Sequence, residues 1–309
     1  MQLSAHYLVR AELAYAESLA LESLPVLRKG RDYAYYMSLH WLRHIASAKG
    51  DAAGIKKWSS LEKELGDTTK DDFVIAYAHY GLADAFSRIG DVEAATQAAE
   101  RSVRLLVKHN SFLTPIASQE LARALLQGSE YKSAEETASD SIREAWKEWS
   151  LMELCLDSYA ILVEAIGADH WHRGAAFFSR PRKRFAARMA RRSRIVSWFF
   201  PSLKPHALRV SGRASVILGK TARAEQYFAR AIKSAQESGA DFECARTLID
   251  RSMLEGINAE QDRSQGLEKL EYLGCVLPDA EVEYLGIDRE AHHARAAEAR
   301  AGYEAELQN

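Results

Sequence analysis

Along most of the chain, apolar residues recur at three- and four-residue spacing. That is the period of one face of an α-helix and not the alternation of a strand. Ala76, Tyr80, Ala83 and Ile89 mark one such face, and Leu121, Leu125 and Leu126 mark another. The patterns run into glycines at Gly50, Gly90, Gly128, Gly167, Gly219 and Gly256. Glycine fits the left-handed position that stops a helix. Asp51, Asp91 and Ser129 follow three of these glycines as expected N-caps of a second helix. Mostly small residues then fall where two helices must approach closely: Ala95, Ala99 and Ser102; Ala134, Ala138 and Ser141; Ala224, Phe228 and Ala231. No alternating run of convincing strand length appears.

Successive glycines stand 40, 38, 39, 52 and 37 residues apart. A period near 40 predicts a supersecondary unit repeated about six times, each unit a pair of antiparallel helices. The fold class expected is therefore all-α. The one long interval, about a dozen residues over the period, contains an unusual basic stretch.

The spacing Leu82-Ala83-x2-Phe86-x3-Gly90-x4-Ala95-x6-Ser102 resembles the tetratricopeptide (TPR) repeat, as does Gly212-x6-Gly219-x4-Ala224-x3-Phe228-x2-Ala231. These repeats are longer than the usual 34 residues of that family. Residues 184–246 and the ending Leu270–Asp279 are similar to the C-terminal repeat region of STAND or AAA-type ATPase signalling proteins. Those proteins join such arrays to class III cyclases, kinases or transcription activators. The resemblance covers roughly residues 30–285. It implies a right-handed superhelix with a concave groove, a TPR-like α-solenoid over residues 1–285. No cyclase, kinase or ATPase domain accompanies it in this sequence, so those activities do not transfer. The Ala- and Glu-rich stretch 286–309 is expected to be a solvated helix or frayed tail.

Composition adds one sharp feature. The 309 residues are 47% apolar and 27% charged, with a formal net charge of −2, an ordinary globular balance that argues against a general nucleic-acid binder. From His170 to Ala224, however, there are 14 Lys/Arg and no Asp or Glu, leaving 27 basic against 43 acidic residues, a net −16, elsewhere. An apparently neutral chain is an acidic array with a basic insert at about residues 170–204. Cys155, Cys244 and Cys275 are far apart and form no CxxC, so neither a disulfide framework nor a zinc ribbon is expected, and a reducing cytoplasm is the simplest location. The N-terminus has no basic start followed by an apolar run, and the longest strongly apolar stretch, Ile195–Phe200, is far too short to span a bilayer.

Three motifs invite chemistry. Ala214-x4-Gly219-Lys220-Thr221 matches a loose nucleotide-loop pattern. Such a loop needs a preceding strand and free backbone N–H groups, whereas here a helical pattern runs into the repeat's own turn. An inter-helix turn is the expectation. His40 and His44 stand one helical turn apart, the spacing of two metal ligands, but no Glu lies between them and a groove-facing position accounts for both. His170-Trp171-His172 has no cysteine nearby. No nucleophile or paired-carboxylate constellation emerges, so the chain is read as non-enzymatic, with no cofactor and no metal.

The basic insert reads Arg180-Pro-Arg182-Lys183-Arg184-Phe185-Ala-Ala-Arg188-Met189-Ala-Arg191-Arg192-Ser-Arg194 and continues to Phe200. On a helix, Phe185, Met189, Val196, Phe199 and Phe200 share one face and the arginines fall largely outside it. Three readings stand: the second helix of the fourth pair, with arginines solvated or paired to acidic repeats; an anionic-membrane contact; or a phosphate contact on nucleic acid.

In the TPR register, the groove-facing residues are His40, His44, Tyr77, Tyr80, Asp84, Arg88, Gln119, Arg123, Asp157, Glu164, Arg209, Arg213, Arg246 and Asp250. Arginine forks suit carboxylates or phosphates, so a peptide with apolar and acidic parts is the expected ligand, unless these side chains pair among themselves. The leading expectation is a non-catalytic scaffold for a protein or peptide partner in signalling, with no small-molecule substrate. The alternatives are a detached regulatory part of a STAND/AAA ATPase or cyclase system, and a membrane- or nucleic-acid-binding adaptor using the insert.

Overall fold

The computed structural model describes residues 7–8, 10–27, 33–147, 156–173, 178–254, 256 and 258–306. Cys155 and the side chain of His172 lie outside that description. The described residues form fifteen α-helices and no strand. In chain order they are α1 (Leu13–Leu27), α2 (Tyr33–Lys49), α3 (Ala52–Thr69), α4 (Asp72–Ile89), α5 (Val92–Lys108), α6 (Thr114–Gln127), α7 (Tyr131–Lys147), α8 (Leu156–Arg173), α9 (Arg180–Phe199), α10 (Lys204–Ile217), α11 (Thr221–Ser238), α12 (Asp241–Ser252), α13 (Ala259–Tyr272), α14 (Asp279–Tyr284) and α15 (Arg289–Glu306). None is long and apolar enough to cross a membrane.

Local chemistry sets the helix ends. Gly50, Gly90 and Gly219 adopt left-handed φ angles of 91°, 82° and 69° and stop α2, α4 and α10. Asp51 accepts a hydrogen bond from the Gly54 N–H and Asp91 from the Ala94 N–H, so both act as the expected N-caps. Two expectations fail. At the third turn, Ser129 itself takes the left-handed position (φ 63°), not Gly128, and so it is not an N-cap. Gly167 lies inside α8, which runs on to Arg173. The interval is long because its first glycine is not at the turn: α8 runs six residues past Gly167, and α9, at 20 residues, packs as the second helix of the fourth pair.

From α1 to α13 each helix packs on the next in sequence, and α15 packs on both α13 and α14. Ser102 and Ser141 show why small residues recur: their hydroxyls donate to the carbonyls of Ala76 (2.7 Å) and Pro115 (2.9 Å), at equivalent places in successive repeats. The even-numbered helices also touch one another in order, α2 to α4, α4 to α6, α6 to α8, α8 to α10 and α10 to α12. They then close: α12 touches α2. At this seam a Cβ on Gly50 would meet the Phe242 Cβ at 2.3 Å, and the Val276 N–H donates to the Arg88 carbonyl at 2.8 Å. Ala52 shares one apolar cluster with Ala245, Ile249, Leu270, Cys275 and Leu277. The chain thus joins residues near its start to residues near its end through a continuous core.

The C-terminal helix is not a free tail. His292 of α15 is fully buried, accepts from the Leu277 N–H through Nε2 (3.2 Å) and places Nδ1 2.9 Å from Glu271 Oε1. Arg300 donates to the Gly274 carbonyl. The helix clamps the 275–278 segment that makes the seam.

Gly50→Ala combines a left-handed backbone with overlap on Phe242 and is expected to lower unfolding free energy by about 3 kcal/mol. Gly219→Ala, with nothing within 4 Å of its Cβ, should lose only about 1 kcal/mol. Urea denaturation followed by circular dichroism measures both, and equal losses would deny the Gly50–Phe242 contact its role in closure.

Candidate functional site

The even-numbered helices turn a polar stripe inward. On α10, His206, Arg209 and Arg213 fall at i, i+3 and i+7, one face of a helix, and all three are buried. Arg209 reaches Glu164 of α8 (2.6 Å) and Glu243 and Asp250 of α12 (2.8 and 3.4 Å). Arg213 donates through Nε (2.7 Å) and Nη2 (2.6 Å) to the two carboxylate oxygens of Asp250. Glu281 of α14 takes Arg246 of α12 at 2.8 Å and Arg213 at 3.3 Å. His206 bridges Asp157 (2.6 Å) and Glu164 (3.2 Å) of α8. Arg123 of α6 reaches forward to Asp157 (2.5 Å), and Arg88 pairs with Asp84 within α4 (2.8 Å), where Ser47 of α2 donates to Asp84 at 2.6 Å. Gln119 accepts from Ser158 at 3.3 Å.

The arginines chosen from the repeat register therefore share the inward face, and the carboxylates they hold belong to this same chain. The partner acids at Glu62, Glu120, Glu243 and Glu281, and the imidazole of His206, carry no motif. Their only mark in the sequence is the helical spacing, such as Glu243, Arg246 and Asp250 at i, i+3 and i+7.

Burial disfavours every charge here, so each must be matched. Burial works against a charged His206, yet Asp157, then Glu243 and Glu164, hold it up at about 10. Despite burial, Asp157 is held well down by His206 and Arg123, and Glu164 by Arg209 and His206. Glu120 is the exception: burial pushes it up to about 7 against Arg123, with Asp84 and Asp157 adding to the rise. From Asp84 to Glu281 the stripe holds six cations (Arg88, Arg123, His206, Arg209, Arg213, Arg246) and seven acids (Asp84, Glu120, Asp157, Glu164, Glu243, Asp250, Glu281). A proton on Glu120 evens the count. A cavity of about 220 Å³ remains among these helices, with Tyr80, Arg88, Glu120, Arg123, Asp157 and His206 in its wall.

Towards the N-terminus the stripe becomes aromatic. The His40 ring lies 5.1 Å from Tyr77 and 4.5 Å from His44, and Tyr36 lies 6.4 Å from Tyr77. The Arg43 guanidinium sits between the two histidines, 3.0 Å from His40 Nδ1 and 3.4 Å from His44 Nε2, and stacks on Tyr80 at 4.8 Å. It also pairs with the buried Glu62 at 3.1 Å. Burial, then the neighbouring charge, keeps both histidines well below their ordinary range. A cation already occupies the place a metal would need. Outward from this cluster opens a mainly apolar groove of about 580 Å³ whose wall includes Tyr36, His40, Phe73, Tyr77 and Phe112.

The nucleotide-loop match is an inter-helix turn. The N–H groups of Leu218, Gly219 and Lys220 donate to the carbonyls of Ala214, Val216 and Ser215, so they are not aimed at a phosphate. In the basic insert, Arg182 pairs with Glu135 (2.5 Å) and Asp169 (3.0 Å), and Arg194 donates to the Tyr227 hydroxyl at 2.6 Å. Arg192 lies 5.9 Å over the Tyr159 ring. Arg180, Lys183, Arg184, Arg188 and Arg191 make no ion pair with a described residue. Met189 and Val196 are buried and Phe185 partly so, but Phe199 points outward, against the expected apolar face, because α8 and α10 cover only the Met189–Val196 side. Among the described residues no group of three His, Cys, Asp or Glu is placed to hold a metal. No protein-family model matches this sequence, and no curated protein is significantly similar to it.

Two outcomes follow. Asp250→Ala removes the carboxylate that takes both Nε and Nη2 of Arg213, leaving that buried guanidinium only Glu281 at 3.3 Å, and is expected to lower stability by about 3 kcal/mol in urea denaturation. Folding raises the His206 pKa from 6.5 to about 10, so its stabilisation is complete below about 6.5 and is lost as pH rises through 10. Unfolding free energy should then fall by on the order of a few kcal/mol between about pH 7 and pH 10, and His206→Gln should flatten that slope. An unchanged slope in the variant would place the proton elsewhere.

Proposed function

We propose that this protein is a non-catalytic, TPR-like scaffold that binds a protein segment in a signalling or regulatory setting. In this reading the helix pairs form a right-handed superhelix so tightly wound that its concave side is filled by its own side chains. The observation that carries the reading is the division of the inward face. Arg209, Arg213 and Arg246, the residues suited to an acidic peptide, are already bound to Glu164, Asp250 and Glu281. The aromatic end is open: Tyr33 is 71% and Phe112 55% exposed beside the groove.

Exposed aromatic side chains around a concave apolar surface are the kind of site in which a few anchors supply most of the binding energy. The partner this favours is a peptide with aromatic or aliphatic anchors, and the acidic part expected from the arginines is not required. Its backbone polar groups would meet Thr69 and Asp71 at the groove margin.

A peptide library displayed on phage and selected on the full chain tests this. Selected peptides should carry spaced apolar anchors and bind Tyr33→Ala/Phe112→Ala at least about tenfold more weakly. Both side chains are exposed, so the variant should keep its helical circular dichroism. Undiminished peptide binding by the folded variant would exclude the groove.

A further inference from the structure

The outward surface of α9 is strongly exposed, and its chemistry differs from that of the groove. At 100° per residue, Arg184, Arg188, Arg191, Ile195, Trp198 and Phe199 fall within an arc of about 120°. The helix buries Ala186, Met189, Ala190, Ser193 and Val196 on its other side, so this arc faces away from the protein. Trp198 is 89%, Phe199 71% and Ile195 53% exposed. Cations therefore occupy the first three turns of the arc and large apolar side chains the last two.

A second cluster lies beside it. Tyr227 of α11 is ringed by three guanidiniums, those of Arg194 (5.0 Å from the ring centre), Arg223 (5.6 Å) and Arg230 (5.9 Å). Arg194 and Arg223 both donate to its hydroxyl, at 2.6 and 3.3 Å. None of the three has an ion pair with a described carboxylate: of the two acids on the same helix, Glu225 makes none with them and Glu237 pairs with Lys233. Like charges brought this close repel unless an anion is shared among them. Arg194 sits between Arg191 and Trp198 on α9, three residues after one and four before the other, so the cluster adjoins the exposed arc. No Asp or Glu occurs from 170 to 224 to compete for these cations.

We propose that this face docks the protein on an anionic phospholipid bilayer. Trp198, Phe199 and Ile195 enter the headgroup region, Arg184, Arg188 and Arg191 lie along the lipid phosphates, and the Arg194–Arg223–Arg230 cluster holds one more. The aromatic end selects a bilayer over a nucleic-acid backbone, because a helix lying in the interface has an apolar layer to receive such side chains whereas a duplex surface has none. It is independent of the peptide groove, which lies on other helices.

Cosedimentation of the full chain with vesicles of phosphatidylcholine, with and without about 30 mol% phosphatidylserine, tests it. Binding is expected to the anionic vesicles, none to the neutral ones, with release as salt rises towards about 1 M. Arg188→Glu/Arg191→Glu should weaken binding at least about tenfold. Trp198→Ala/Phe199→Ala should weaken it comparably while preserving the salt dependence. All four side chains are exposed, and circular dichroism confirms that the variants fold. Equal binding to neutral vesicles, no binding to either, full binding by the folded variants, or displacement from the vesicles by a duplex oligonucleotide would each overturn the proposal.

Discussion

Buried guanidinium–carboxylate pairing between successive inner helices is the constraint on which the rest of this structure depends. A charge taken out of water costs several kcal/mol unless it is matched in place. Arg209 alone spans α8, α10 and α12 through Glu164, Glu243 and Asp250. Sliding α10 by one residue would rotate its guanidiniums by about 100° away from those acids. Apolar packing between helix pairs tolerates such adjustments more readily, because it asks only for contact and volume. The polar stripe thus fixes register, and the apolar clusters, such as the one running from Ala122 to Ile217, supply most of the favourable free energy.

Closure follows from the same arrangement. Phe242 sets its backbone and Cβ against Gly50 and its ring under the Arg88 guanidinium, 4.3 Å away, so one residue joins the ion-pair stripe to the apolar seam. Gly50 serves twice. It stops α2 in a conformation that favours glycine, and it leaves space that no other residue would leave for Phe242. Cys275, buried in that seam with Sγ 3.5 Å from the Gly50 carbonyl, behaves as a small apolar residue, and burial pushes its thiol up to about 12.

How much of this could be read in the sequence depends on the range of each interaction. Asp51 and Asp91 cap through bonds three residues away, and Gly50, Gly90 and Gly219 act within a single turn, so a linear pattern reveals them. The inward face was equally legible, since a helical period determines it. Its curvature was not. The positions of Arg213 and Asp250 say nothing about whether they line an open groove or meet at 2.6 Å, because that distance reflects the angle at which successive helix pairs stack. Gly167 misled for a simpler reason: glycine ends a helix only where the next residues also leave it, and α8 continues for six more. Phe199 misled because the apolar moment of α9 counts every large side chain, whereas α8 and α10 cover only part of its circumference.

The contact between α12 and α2 has one more consequence. In an open array each unit depends only on its neighbours, stability adds up unit by unit, and an extra copy can be gained or lost without disturbing the others. Here the first and last units are also neighbours, so every interface presupposes the full set. Duplication or deletion of a single helix pair would displace Phe242 from Gly50 and part α12 from α2. The number of helix pairs that fit between α2 and α12 is thus tied to that one contact.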